Sequence, residues 1–117
     1  MHHKDLEVYK KAIDFVVHVY ELTKSFPKEE VYGLTSQIRR AVVSIPSNIA
    51  EGCARYSDKE TKNFVNVAFA SLMEVETQLE IALKLGYIKE YAITDKELNV
   101  LKSLLLGFKK YLETNKK

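Results

Sequence analysis

A chain of 117 residues with 46% apolar and 29% charged side chains has the make-up of a soluble globular domain, long enough to bury one core without metal or disulfide support. One cysteine and no tryptophan leave no intrachain disulfide framework and fit a reducing compartment. Four glycines and two prolines are too few for the turns of an all-β fold, and a net charge of +2 does not by itself prescribe a nucleic-acid partner.

The N-terminus, Met1-His2-His3-Lys4, reads as a frayed end with no signal-peptide pattern, and no long charge-free apolar run follows. The sequence therefore predicts a cytoplasmic protein with no membrane partner. Two adjacent histidines do not make a metal site. A first helix is expected over about 5–24, where Leu6, Tyr9, Ile13, Val16, Val17, Tyr20 and Thr23 follow helical spacing and Asp5 and Glu7 suit the positive end of the helix dipole. His18 on its flank reads as a plain structural or exposed histidine.

Pro27 closes this helix, and the linker 25–30 is short enough to make the next helix an antiparallel neighbour. The second helix is expected over about 34–55. Stepping about 100° per residue, Leu34, Ile38, Ala41, Val42, Ile45 and Ile49 fall within about 60° of one direction, a core stripe. Gln37, Arg40, Ser44, Ser47, Asn48, Glu51 and Arg55 gather on a second, polar side. Val43, Ala50 and Ala54, with Arg39 at the edge, form a third arc, so the helix is apolar on more than one side and suits the interior of an assembly. Pro46 lacks an N–H and disfavours helical angles at the residue before it, at a cost of roughly 3 kcal/mol. Either one bent helix or two helices meeting at 44–47, with Ser47 as a cap, satisfies the pattern; unbroken apolar phasing across Pro46 favours one helix kinked there. Cys53 lies near the apolar side and reads as an inert buried thiol.

Ser57-Asp58-Lys59-Glu60 spells a capping box that opens a third helix over about 58–85, with Phe64, Ala68, Leu72, Val75, Leu79, Ala82 and Leu83 at three- and four-residue steps. Asn63, Asn66 and Ser71 interrupt it. Glu74, Glu76 and Glu80 invite comparison with di-iron bundles, but those need Glu-x-x-His pairs and none occurs, so a solvated or salt-bridged acidic face is expected and no metal. Gly86 should stop this helix, with Tyr87, Ile88 and Tyr91 covering one end of the fold. Thr94-Asp95-Lys96-Glu97 spells a second capping box for a fourth helix over about 95–113, whose Leu98, Leu101, Leu105, Phe108 and Leu112 alternate steps of three and four as in a coiled-coil seam. The closing residues 113–117 read as partly disordered.

The expected fold is all-α: a single domain over 1–117, an up-down-up-down antiparallel four-helix bundle. Charge is even along it, with eight basic and seven acidic side chains in residues 1–56 and ten and nine in 57–117. Every arginine, however, lies between Arg39 and Arg55. Arginine's planar fork suits phosphate and carboxylate, so phosphate binding and ordinary surface ion pairs both remain open at Arg39, Arg40 and Arg55. There is no glycine-rich phosphate loop, no framed pair of catalytic carboxylates and no Cys/His nucleophile arrangement. No enzyme, catalytic residue or cofactor is expected.

The run G-L-T-S-Q-I-R-R-A-x-x-S-I-P-x-N-I-A-E-G, residues 33–52, followed by S-x-x-E and F-x-x-x-A-x-x-S-x-x-E-x-E-x-x-L, closely resembles the signature of the four-helix-bundle proteins related to the 23S ribosomal RNA intervening sequence protein. The likeness covers about residues 5–112. It implies a bacterial protein that forms a homopentamer, with ribosomal or other structured RNA as partner, or a reverse transcriptase in relatives that serve retroelements. On that reading Arg39, Arg40 and Arg55 meet nucleic acid, while Gln37, Val43, Ser44, Asn48, Ala50 and Glu51 meet neighbouring subunits. A second reading is an oligomeric scaffold for a protein partner, in which Arg40 and Glu51 hold subunits together and no nucleic acid is bound.

Overall fold

Helical spacing is realised in four segments of the computed structural model, which describes residues 2–89 and 95–114: α1 Glu7–Thr23, α2 Leu34–Cys53, α3 Asp58–Lys84 and α4 Asp95–Thr114. Short 3-10 turns, His3–Asp5 and Lys28–Glu30, precede the first two, and no strand occurs among the described residues. Side chains from all four helices enter one core, in which Phe15, Ile38, Ile45, Ile49, Leu72, Leu101 and Leu105 are fully buried. The molecule measures 51 × 26 × 20 Å, its length matching α3 at about 1.5 Å per residue plus its ends.

The face that α1 turns inward differs from the expected one. Val8, Ala12, Phe15, Val19 and Thr23 are buried, whereas Ile13, Val17 and Tyr20 are exposed. Both sets follow helical spacing, so periodicity fixes the helix without fixing its rotation. The inward set brings small Ala12 beside bulky Phe15, which lets neighbouring helices approach and fill the space.

α2 passes through Pro46 as one element, which excludes the two-helix alternative. Its core stripe is as expected: Ile38, Ala41, Val42, Ile45 and Ile49 are buried, and Leu34 packs against them. Pro46 is itself buried, so packing of its ring offsets the lost backbone donor. Cys53 is buried, and burial pushes its thiol above its ordinary range, as an inert cysteine requires. At Gly52 the contact with α3 is so close that a Cβ would stand 2.9 Å from the Phe64 Cβ, and the Thr61 hydroxyl donates to the Gly52 carbonyl at 2.8 Å.

Ser57 caps α3 by accepting the Glu60 N–H at 3.2 Å; no return bond from the Glu60 carboxylate to Ser57 occurs among the described residues. Leu83, expected in the core, is exposed, and Phe64 is only half buried. Gly86 ends the helix with φ of +82°, while Gly86 N–H donates to Leu83 and Tyr87 N–H to Ala82, the paired bonds of a Schellman stop. Tyr87 and Ile88 then pack on the core; Tyr91 and the Thr94 cap lie outside the described residues.

In α4 the expected seam forms, with Leu98, Leu101, Leu105 and Leu112 buried and Phe108 packed beside them. The helix includes Glu113 and Thr114, and Glu113 accepts from Lys62 at 3.2 Å, so these two are not part of a loose tail. Side-chain pairs tie the helices together: His18 with Glu97 at 2.8 Å, Lys102 with Glu76 at 3.0 Å, and Ser44 with Ser71 at 2.8 Å. His18 thus has an acidic neighbour that sequence spacing did not reveal.

Candidate nucleic-acid interface

Arg39 and Arg40 lie within α2 and Arg55 two residues past its end, and the fold gives each a different environment. The Arg39 Nε–H donates to the Thr23 hydroxyl at 2.8 Å, a second guanidinium N–H reaches the Tyr20 carbonyl at 3.3 Å, and the planar group lies 4.5 Å over the Tyr20 ring. That geometry binds α2 to the C-terminal turn of α1. Arg55, at the other end of α2, pairs with Glu51 at 3.1 Å and covers the Phe64 ring at 4.6 Å. Arg40 is exposed and makes no hydrogen bond or ion pair with any described residue. Arg55 follows Arg40 by fifteen positions, about 20 Å along the direction of α2, so one chain does not gather the arginines into a single patch.

Arg40 stands on the rim of a polar groove between α2 and α3, lined also by Tyr32, Gln37, Ser44, Ser71 and Glu74. The Ser44–Ser71 pair forms its floor, and Asn48 holds Ser44 by donating its Nδ2–H to both the Ser44 hydroxyl, at 2.9 Å, and the Ser44 carbonyl, at 2.8 Å. Tyr32, just ahead of α2, is 95% exposed. An aromatic ring of that exposure is costly to leave in water and suits contact with a planar partner.

On the opposite side of α2, toward α1, the character reverses. Val43 and Ala50 line an apolar groove with Tyr9, Ile13, Val16 and Pro46. Continuing past it, Val17 and Val31 are more than half exposed, and Tyr20 borders Val43 in an adjoining hollow. The six residues expected at a subunit interface are thus divided. Val43 and Ala50 lie on this apolar side, Gln37 and Ser44 in the polar groove, Asn48 is engaged within its own helix, and Glu51 is paired to Arg55.

The sequence profile of the 23S rRNA-intervening sequence proteins matches residues 4–107, nearly the whole chain. The chain belongs to this family. Among solved structures, it resembles a protein of unknown function of the S23 ribosomal protein family from Bacteroides thetaiotaomicron, at 24% identity and a TM-score of 0.60, with 92% of this chain and 96% of that chain covered. At that identity the likeness speaks for the fold. None of the curated proteins matches the chain.

In this chain, sequence reasoning found α2 and missed the residues that complete its groove, Tyr32, Ser71 and Glu74. Ser71 did stand out as a polar break in the apolar spacing of α3. Its partner Ser44 stood out on α2, and a small hydroxyl on each of two neighbouring helices is the signal that would have paired them.

No described helix is long and apolar enough to cross a membrane. Among the described residues no group of three His, Cys, Asp or Glu side chains could hold a metal ion.

Proposed function

We propose that this chain is a non-enzymatic RNA-binding protein that works as a cytoplasmic homo-oligomer, and that its RNA contacts centre on Arg40. The observation that carries this is that Arg40, alone among the three arginines, keeps its guanidinium exposed and without a partner among the described residues, beside a polar groove. A guanidinium in water gains most from phosphate, to which its fork donates two parallel bonds. The family's name supplies the direction, toward ribosomal RNA.

In this reading the chain is one domain, an up-down-up-down antiparallel four-helix bundle with α2 bent at Pro46. Antiparallel packing is supported by the pairing of late residues with early ones: Gly52 meets Thr61 while Ser44 meets Ser71, and Lys62 meets Glu113 while Glu76 meets Lys102. Self-association uses the apolar α1–α2 side, with Val43 and Ala50 at its centre and Ile13 and Tyr20 around them. A pentamer would raise the charge from +2 to about +10 and repeat Arg40 around the assembly, giving a field that a single chain lacks.

The test is anisotropy titration of a labelled structured RNA at about 50 mM and about 200 mM salt, with the assembled mass checked by light scattering. Phosphate contacts predict affinity that falls steeply between the two conditions, and falls further in Arg40→Ala. An intact oligomer that binds no RNA at the lower salt leaves the other reading, a scaffold for a protein partner. The engagement of Arg39 and Arg55 within the chain favours that reading to the same extent that it weakens theirs as phosphate ligands.

A further inference from the structure

Arg40 and Glu74 face the same groove from α2 and α3 without meeting. Both are exposed, no ion pair within 4.0 Å joins them, and neither has another partner among the described residues. Between them lies the fixed Ser44–Ser71 floor, and Tyr32 stands at the edge with almost its whole ring in water. Opposite charges held apart in one groove suit a ligand that brings an anion and hydrogen-bond donors together, and a free aromatic ring suits one that also brings a flat face.

An unpaired nucleotide has all three. Its phosphate answers the Arg40 fork, its base stacks on tyrosine, and its pairing edge, free only when the base is unpaired, is open to side chains. Glu74 selects among bases because a carboxylate only accepts. Guanine offers two adjacent N–H donors to the two carboxylate oxygens, whereas uracil offers one N–H flanked by carbonyls that the carboxylate repels. Resting on the RNA-binding reading, we infer that the α2–α3 groove captures an unpaired guanosine of an RNA, with Tyr32 stacking the base, Glu74 reading its edge and Arg40 holding a phosphate.

The experiment compares two labelled single-stranded RNA oligonucleotides that differ in one central residue, guanosine or uridine, with a duplex of the same length. Wild type is measured beside Tyr32→Ala, Glu74→Gln and Arg40→Ala. All three positions are exposed, so the variants should keep the fold, and light scattering is run on each to check its association state. The guanosine strand should bind about tenfold more tightly than the uridine strand. Glu74→Gln should erase that difference, Tyr32→Ala should weaken both strands by about tenfold, and neither should change duplex binding. Equal affinity for the two strands, unaltered by Tyr32→Ala and Glu74→Gln while salt-sensitive RNA binding persists, overturns the groove and leaves the RNA reading standing. Absence of binding to any RNA at low salt removes both. Free guanosine monophosphate that competes as well as the guanosine strand would reassign the groove to a free nucleotide and overturn the RNA source.

Discussion

Arg39 donates across the α1–α2 contact to Thr23 and Tyr20, whereas Arg40, its neighbour in sequence, touches no described partner. Removing Arg39 deprives a buried threonine of a charged donor and a tyrosine ring of its cation. Arg39→Ala should therefore cost about 1–2 kcal/mol in thermal or denaturant unfolding, against less than about 0.5 kcal/mol for Arg40→Ala. In an RNA assay the two variants differ for this reason: a loss of binding in Arg39→Ala would first have to be separated from a loss of structure. A similar pairing governs Tyr87, whose hydroxyl donates to Glu30 at 2.9 Å while the other Glu30 oxygen accepts the Leu34 N–H that opens α2. The hydrogen bond to Glu30, then burial, then the charges of Glu30 and Glu29 push the Tyr87 phenol above its ordinary value. A group raised in the folded state contributes stability below its unfolded pKa, and that contribution is lost as pH rises through the folded value. Alkaline titration followed by phenolate absorbance should show one tyrosine ionising above the rest, and Glu30→Gln should bring it back toward the others. A curve unchanged by Glu30→Gln would show that the contact does not hold in solution.

At the scale of elements, α2 and α3 approach closely at Gly52, where an added Cβ would meet the Phe64 Cβ at 2.9 Å and the Thr61 carbonyl at 3.2 Å. Backbone cannot step aside as a flexible side chain can, so Gly52→Ala should destabilise by about 1–3 kcal/mol. Gly107 in α4 has nothing within 4 Å of such a Cβ, and alanine there should stabilise by about 0.5–1 kcal/mol through helix propensity. Thermal melts at one protein concentration distinguish the two, since each kcal/mol moves the midpoint of a domain this size by about 4–8 °C. The same two helices show what could be read from sequence. The seam of α4 was legible because Leu98, Leu101, Leu105, Phe108 and Leu112 alternate steps of three and four, and so was the core stripe of α2. α1 was legible as a helix but not in its rotation, because Tyr9, Ile13, Val17 and Tyr20 satisfy helical spacing as well as Val8, Ala12, Phe15 and Val19 do. The groove was half legible. Arg40, Gln37 and Ser44 share one side of α2 by counting alone, but Ser71 and Glu74 join them only through the register of α3, which the contact at Gly52 helps to set and no local pattern encodes.

For the whole molecule, the two sides of α2 make separate demands. The polar groove must stay open to water if it is to take RNA, while the apolar side shared with α1 gains by being covered: Ile13 is 39% exposed and Val43 40%, on facing helices of one groove. Burying such surface between copies is favourable at roughly 25 cal/mol per Å². A glutamate at both positions should make the covered state untenable without disturbing the core, because neither side chain is part of it. Ile13→Glu with Val43→Glu should therefore keep wild-type helicity by circular dichroism while light scattering shows a single chain. If assembly is also what concentrates charge, this monomer should bind a long structured RNA about 100-fold or more weakly, as linked sites become single ones, yet bind a short strand with nearly its former affinity. A variant that stays assembled would place the subunit contact on another face, and the polar groove between α2 and α3 would then be the first surface to re-examine, since a neighbour seated there would close it to RNA.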